Sequence, residues 1–356
     1  MAIAFSLLSL VFLFGYVFSS DTRDNQTLFH VEVGLNFCHW PRPYSVAKIS
    51  PEFRVYTRNG TTNFTISDLG QANATAAELE RFGFFRQGRE VVFLVHGFRD
   101  DINAGYMRDI KDGLLSVEDS TVFVTGWEKG AYLSPLAYAQ AAANIETVGE
   151  VIANLAEAIL HVDTFRGDKN LLYLYCIGHS LGAHVCGQAG LKASGLFDRM
   201  SGLDAAGPGF ENCPKNPSLL PQSATCVDAI HTDGNFSGHI DPIIPHQGAL
   251  RSWGFVDFYP NGGVKQPGCS VFDNDFHGCS HHRSVLLFVY SLQKPKGTCM
   301  SHGPCRSVKP LPDQSCDQGG KQQYMGYYST CHKDVPADQR QGGVFYLSTS
   351  AANPYC

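Results

Sequence analysis

The sequence predicts an α/β fold: a mostly parallel central sheet flanked by helices and stapled by disulfides. Three observations predict it. Short, uninterrupted apolar runs recur at Val91–Val95, Thr121–Thr125 and Leu171–Ile177, as strands buried on both faces require. A long helical pattern separates the second run from the third, and another helical stretch follows the third. Strand and helix in alternation imply parallel strands with covering helices. The chain also carries 12 Cys, seven of them after residue 268, an even count crowded into a loop-rich tail as disulfides in an oxidising compartment would be.

The elements follow in order. Residues 2–18 are almost wholly apolar, with Ser19, Ser20 and a polar stretch behind them, so residues 1–20 read as a secretory signal peptide. No Lys or Arg precedes the run, and the competing reading is an uncleaved anchor; the run is short for a membrane span. Residues 21–90 are polar, with a candidate strand at Phe53–Thr57. Five N-x-[ST] sequons, at Asn25, Asn59, Asn63, Asn73 and Asn235, point to a glycosylated, secreted, extracellular protein. Ile145, Val148, Ile152, Leu155 and Ile159 are spaced 3, 4, 3, 4, one face of a helix running from about Leu136 to His161. A helix-like stretch covers Leu181 to about Ser194, and short strands are expected near Met200–Leu203, Val227–His231 and Phe255–Tyr259. Ser284–Leu292 is a helix or a strand, and the Gly-, Pro- and Cys-rich tail from Lys294 is expected to run over the surface. No linker divides residues 21–356, so one domain is expected. With 44% hydrophobic and 17% charged residues among 356, the chain can bury a large core. Its net charge of -6, with no basic run, argues against nucleic acid as a partner. No fixed-period repeat is visible, which sets solenoids and propellers aside.

Gly178-His179-Ser180-Leu181-Gly182 matches G-x-S-x-G between an apolar strand and a helix. That context is the nucleophile elbow of an α/β-hydrolase fold: the serine takes a strained turn, and the glycines let strand and helix approach closely. A serine hydroxyl needs a base, and in this fold the partners follow in the order Ser, acid, His. Asp204, after the short apolar approach Ser201–Leu203, is the leading acid, with Asp228 and Asp233 behind it. His231, His239, His246, His277, His281 and His282 are candidate bases, and composition does not choose between His281 and His282. Three of these flank Cys279, but four ligands packed within six residues do not easily enclose one ion, and no C-x-x-C pair exists. Two backbone N–H donors are needed for the oxyanion; the residue after the nucleophile, Leu181, supplies one and Phe98, in the loop after Val91–Val95, the other.

Seven ordered motifs then carry a resemblance: His96-Gly97-Phe98, Gly178–His184, Gly202–Asp204, His231–Gly234, Asp257–Gly263, Pro267–Cys269 and Cys279–Ser284. From about residue 50 to 330 the chain resembles the animal pancreatic-lipase family, which includes pancreatic, hepatic and lipoprotein lipases and secreted phospholipases A1. The resemblance implies Ser180 as nucleophile, Asp204 as acid and His281, second after the closing lid cysteine, as base, with His282 where the family usually has an apolar residue. It also implies Phe98 and Leu181 at the oxyanion positions and a lid bridge between Cys269 and Cys279. The implied function is a secreted hydrolase of glycerolipid fatty-acyl esters, a phospholipase A1 or triacylglycerol lipase. A water-soluble carboxylesterase and a non-catalytic lipid-binding relative are the alternatives.

Three departures matter. The chain ends 75 residues after His281, too few for the family's β-sandwich, so no colipase docking is implied. The lid between the two cysteines has nine residues, Ser270–Gly278, which resembles the phospholipases A1, whereas the loop between His231 and Asp257 is long, which does not. The acidic positions of the family's calcium site hold Lys215, Leu220 and Ser223, so no metal and no cofactor is expected. A Cys213–Cys226 bridge is expected to brace that segment instead. Cys176 and Cys186 read as small buried residues, and the pairing of Cys38, Cys299, Cys305, Cys316, Cys331 and Cys356 stays open. The expected partner is a lipid substrate at a micelle, emulsion or membrane surface, and the oligomeric state is open.

Overall fold

The computed structural model describes the backbone of residues 14–17 and 32–35, and residues 38–134, 137–213, 215–234, 246–270, 278–293, 299–305 and 322–356. The expected signal peptide (apart from the backbone of 14–17), Asn25, Asn235, His239, His277, Cys316 and lid residues 271–277 lie outside the described residues.

A nine-stranded sheet carries the molecule. In chain order its strands and principal helices are β1 (Glu52–Tyr56), β2 (Thr61–Thr65), α1 (Gln71–Arg81), β3 (Glu90–Val95), α2 (Gly105–Val117), β4 (Thr121–Gly126), α3 (Tyr138–Leu160), β5 (Tyr173–His179), α4 (Leu181–Lys192), β6 (Arg199–Leu203), β7 (Cys226–Ile230), β8 (Val256–Pro260), α5 (Cys279–Gln293) and β9 (Gly343–Leu347). Across the sheet the order is β9-β8-β7-β6-β5-β3-β4-β1-β2. Every pair from β9 to β4 is parallel; β1 pairs antiparallel with both β4 and β2.

The apolar runs alternate between two cores. Val91, Phe93 and Val95 face a layer built with α1, α3 and α4, while Val92 and Leu94 face α2 and α5. Burial on both faces is why β3 and β4 are apolar along their whole length. All five residues of the 3, 4, 3, 4 series on α3 are buried. Asn59, Asn63 and Asn73 are exposed. Among the described residues no helix is long and apolar enough to cross a membrane.

Three expectations are corrected. The tail does not only run over the surface: β9 enters the sheet beside β8 and buries Phe345 against Phe258, with ring centroids 5.9 Å apart. Cys176 and Cys186 are bridged, because the elbow reverses the chain within ten residues and brings their Cα atoms to 5.7 Å. Cys213 and Cys226 are not paired with each other. Cys213 follows the carboxyl end of β6 and bonds Cys38, while Cys226 opens β7 at the opposite end of the sheet and bonds Cys331. Cys269–Cys279 and Cys299–Cys356 are bridged, and Cys305 is also disulfide-bonded.

Candidate active site

The residues singled out from the sequence issue from the carboxyl ends of neighbouring parallel strands: His96–Phe98 from β3, Ser180 from β5, Asp204 from β6 and His231–Asp233 from β7. Ligands of open parallel sheets bind at such ends, where loops leave the sheet in diverging directions.

Ser180 sits between β5 and α4 at φ 56, ψ -123, a conformation an L-residue holds only under constraint. Its N–H donates to the Leu203 carbonyl (3.1 Å), and its own carbonyl accepts from Ala206 (3.3 Å), so the tip of β6 fixes the elbow. The glycines have a steric cause. A Cβ on Gly178 would stand 2.2 Å from the Gly182 carbonyl oxygen, and one on Gly182 would stand 2.3 Å from the Val95 carbonyl oxygen. Gly97 is as close to the nucleophile, since its Cβ would come within 2.7 Å of Ser180 Cβ.

Asp204 is wholly buried, and one carboxylate oxygen accepts from the backbone N–H groups of Thr232 (2.7 Å) and Asp233 (3.1 Å). The other accepts from His281 Nδ1 at 2.6 Å. His281 stands in the first turn of α5 with Nε2 buried and without a hydrogen-bond partner among the described residues. Burial works to lower its pKa, but the hydrogen bond and charge of Asp204, with Asp233 and Asp100 behind, outweigh it and raise the pKa above the ordinary histidine value.

The other candidates are placed elsewhere. Asp228 is buried in the middle of β7, where it pairs with Arg199 (2.8 Å) and Ser201 (2.6 Å). Asp233 contacts the His246 ring (3.1 Å) and accepts from the Gln247 N–H (2.9 Å); burial raises its pKa. The His282 ring packs edge-on to Tyr106 and His179, with centroids 5.4 and 6.2 Å away. Ligand atoms of Asp204, Asp233 and His281 lie within 4.8 Å of one another, so among the described residues the potential metal donors gathered here are the candidate acid, its neighbour and the candidate base.

Phe98 and Leu181 flank Ser180, Phe98 from the loop after β3 and Leu181 as the first residue of α4. The Phe98 ring rests edge-on against Tyr138 (5.3 Å). The peptide joining Gly97 to Phe98 is held from behind. His96 Nε2 accepts from the Trp127 N–H (3.1 Å), which leaves Nδ1–H to donate to the Gly97 carbonyl (2.9 Å). In a trans peptide the N–H opposes the C=O, so this bond also sets the direction of the Phe98 N–H.

Three supporting residues were not legible as such in the sequence. His184 Nδ1 accepts from the Leu219 N–H (3.0 Å), its Nε2 donates to the Ala206 carbonyl (2.8 Å), and burial pulls its pKa down to about 3. Gly248 lies flat on the acid, since a Cβ there would meet both Asp204 oxygens at 2.4 Å. His231 contacts the Asp257 carboxylate through Nε2 (2.8 Å) and the Ala249 carbonyl through Nδ1 (2.8 Å). Each depends on a partner tens of residues away in sequence or more, so local pattern carries no sign of it.

A family model described as Lipase matches residues 38–355. The chain is 33% identical over 337 residues to the inactive pancreatic lipase-related protein 1 of Homo sapiens, covering 88% of this chain and 66% of that one. It is 31% identical over 333 residues to the pancreatic triacylglycerol lipase of Myocastor coypus, covering 88% and 67%. It is 32% identical over 329 residues to pancreatic lipase-related protein 2 of Rattus norvegicus, covering 85% and 66%. The chain therefore spans about two thirds of the length of these relatives.

Proposed function

The chain belongs to the Lipase family, and from that premise we propose that it is a secreted serine hydrolase that cleaves fatty-acyl esters of glycerolipids. Membership alone does not carry turnover, because some relatives are named inactive. The observation that carries it is the 2.6 Å bond from His281 Nδ1 to Asp204, beside the strained Ser180 elbow. That bond fixes the imidazole with Nδ1 protonated and leaves Nε2 as the base.

Ser180 Oγ attacks the ester carbonyl while His281 Nε2 takes its proton. The Phe98 and Leu181 N–H groups receive the oxyanion, His281 returns the proton to the leaving alkoxide, and water then frees the acid by the same steps in reverse order. Asp204 holds the ring through Nδ1–H and stabilises the imidazolium. The acidic positions of the family's calcium site are Lys215, Leu220 and Ser223, so the reaction is read as metal-free, and a chelator should leave its rate unchanged.

The nine-residue lid segment between Cys269 and Cys279 favours phospholipid over triacylglycerol, because a short lid offers little apolar surface to an oil interface. The five sequons and the disulfides that staple the domain agree with secretion. The test is fatty-acid release from phosphatidylcholine micelles and from a triacylglycerol emulsion, with Ser180→Ala as blank. Release from phospholipid leaving a 2-acyl lysolipid is expected. Release chiefly from triacylglycerol would overturn the lid reading, a rate without a jump at the micelle threshold would mark a water-soluble carboxylesterase, and equal release by the blank would sink the nucleophile.

A further inference from the structure

Behind the acid stands a second His–Asp pair that the proposed chemistry does not use. His231 and Asp257 are buried, and the two partners of the imidazole, the Ala249 carbonyl and the Asp257 carboxylate, are both acceptors at 2.8 Å. A neutral imidazole has one N–H and would turn a lone pair on one of these oxygens; only the doubly protonated ring satisfies both. Asp257 is built as an anion: its Oδ1 accepts from the Trp253 N–H (2.8 Å), and both oxygens lie 3.2 Å from the Gly254 N–H. The Tyr259 ring stacks on the imidazole with centroids 4.3 Å apart and planes 4° from parallel, which suits a cation over a π face.

The placement of this pair ties it to Asp204. His231 immediately precedes Thr232 and Asp233, whose N–H groups grip the Asp204 carboxylate. Ala249, the other partner of the ring, immediately follows Gly248, which packs directly on that carboxylate. One side chain thus ties together the two chain segments that enclose the acid.

We propose that His231 is held as an imidazolium by Asp257 and acts as a positioning residue that aligns Asp204 on His281, an inference that rests on the hydrolase reading above. Its charge also attracts the Asp204 carboxylate from behind while His281 becomes cationic in front. The titratable groups around the ring are Asp257 and Tyr259 on β8 and Asp204 at the end of β6. Burial alone would lower the His231 pKa, but the bond and charge of Asp257, the Ala249 carbonyl and Asp204 raise it.

The test combines histidine 15N NMR with kinetics on the mature protein. In the wild type both His231 ring nitrogens should stay protonated across about pH 5–8, where a free histidine titrates. The His281 Nδ1–H bonded to Asp204 should give a low-field proton signal. In Asp257→Asn, His231 should titrate within that window and the low-field signal should shift or broaden. Its kcat should fall on the order of 10²-fold, KM should change little, and the pH profile should gain an alkaline limb absent from the wild type. His231→Gln, whose two N–H donors sit on one nitrogen and cannot replace donors on both sides of a ring, should show the same loss of kcat and of the low-field signal. A neutral His231 in the wild type at pH 7 would overturn the proposal, as would an unchanged low-field signal and kcat in the variants. If a variant does not fold, the charge state in the wild type decides. If the wild type shows no Ser180-dependent hydrolysis, the hydrolase reading fails, while the two NMR signals still decide the role of His231.

Discussion

In the proposed mechanism His281 must be neutral to accept the Ser180 proton, and Asp204 raises the pH at which that form appears. kcat/KM should therefore rise with pH through a limb above the ordinary histidine value of about 6.5. Asp204→Asn removes the main raising cause, so the limb should move down while the rate falls on the order of 10⁴-fold; a pH–rate profile of both proteins checks this. Protons act on stability in the opposite sense at His184. Its folded pKa of about 3 lies below the unfolded value of 6.5, so it contributes stability that is complete above pH 6.5 and lost as pH falls toward 3. His184→Gln should flatten the acid side of the denaturation curve by about one proton. His231 and His281, with raised values, act the other way and lose their contribution as pH rises through their folded pKa. At this scale Ser180 was legible because its motif is local. Asp204 could be read as the leading candidate acid from its place after a short strand, but His281 was separated from His282 only by the resemblance, because what singles out this pair is each other, 77 residues apart.

The elbow shows what an element demands of its sequence. Gly182→Ala would drive a methyl into the Val95 carbonyl, and a loss of about 3 kcal/mol in denaturant unfolding, with activity falling alongside, is expected. A longer apolar lid in place of residues 270–278 should shift preference toward triacylglycerol, measured as the ratio of the two substrate rates. The regular elements were legible where one period ran unbroken, as in β3, β4 and α3. Helix α2 was not. It buries Tyr106, Met107, Ile110, Gly113 and Leu114, but its apolar face is interrupted at Gly113, where a Cβ would stand 2.9 Å from Leu292 of α5. The glycine that permits close helix packing is the residue that hides the helix from a pattern search.

Across the whole molecule, the disulfides join segments that the sheet alone would leave to local contacts. Cys226–Cys331 closes a span of 105 residues and ties the tail to the start of β7, beside the buried Arg199–Asp228 pair whose guanidinium also donates to the Tyr327 carbonyl (2.7 Å). Replacing both cysteines by serine should cost about 4 kcal/mol, read as a drop in Tm. The pairing could not be read from spacing, since both ends are set by where β7 begins and where the tail returns. The same return gives β9 its place at the edge of the sheet, and its consequence concerns time. Synthesis delivers Ser180 first, Asp204 next, His281 later and the strand that covers β8 after all of them. A growing chain that already bears Ser180 still lacks His281, and when His281 emerges the flank of β8 stays bare until Gly343–Leu347 follows. The candidate base is thus withheld until α5 has emerged, and the flank of β8 is covered only when synthesis reaches β9.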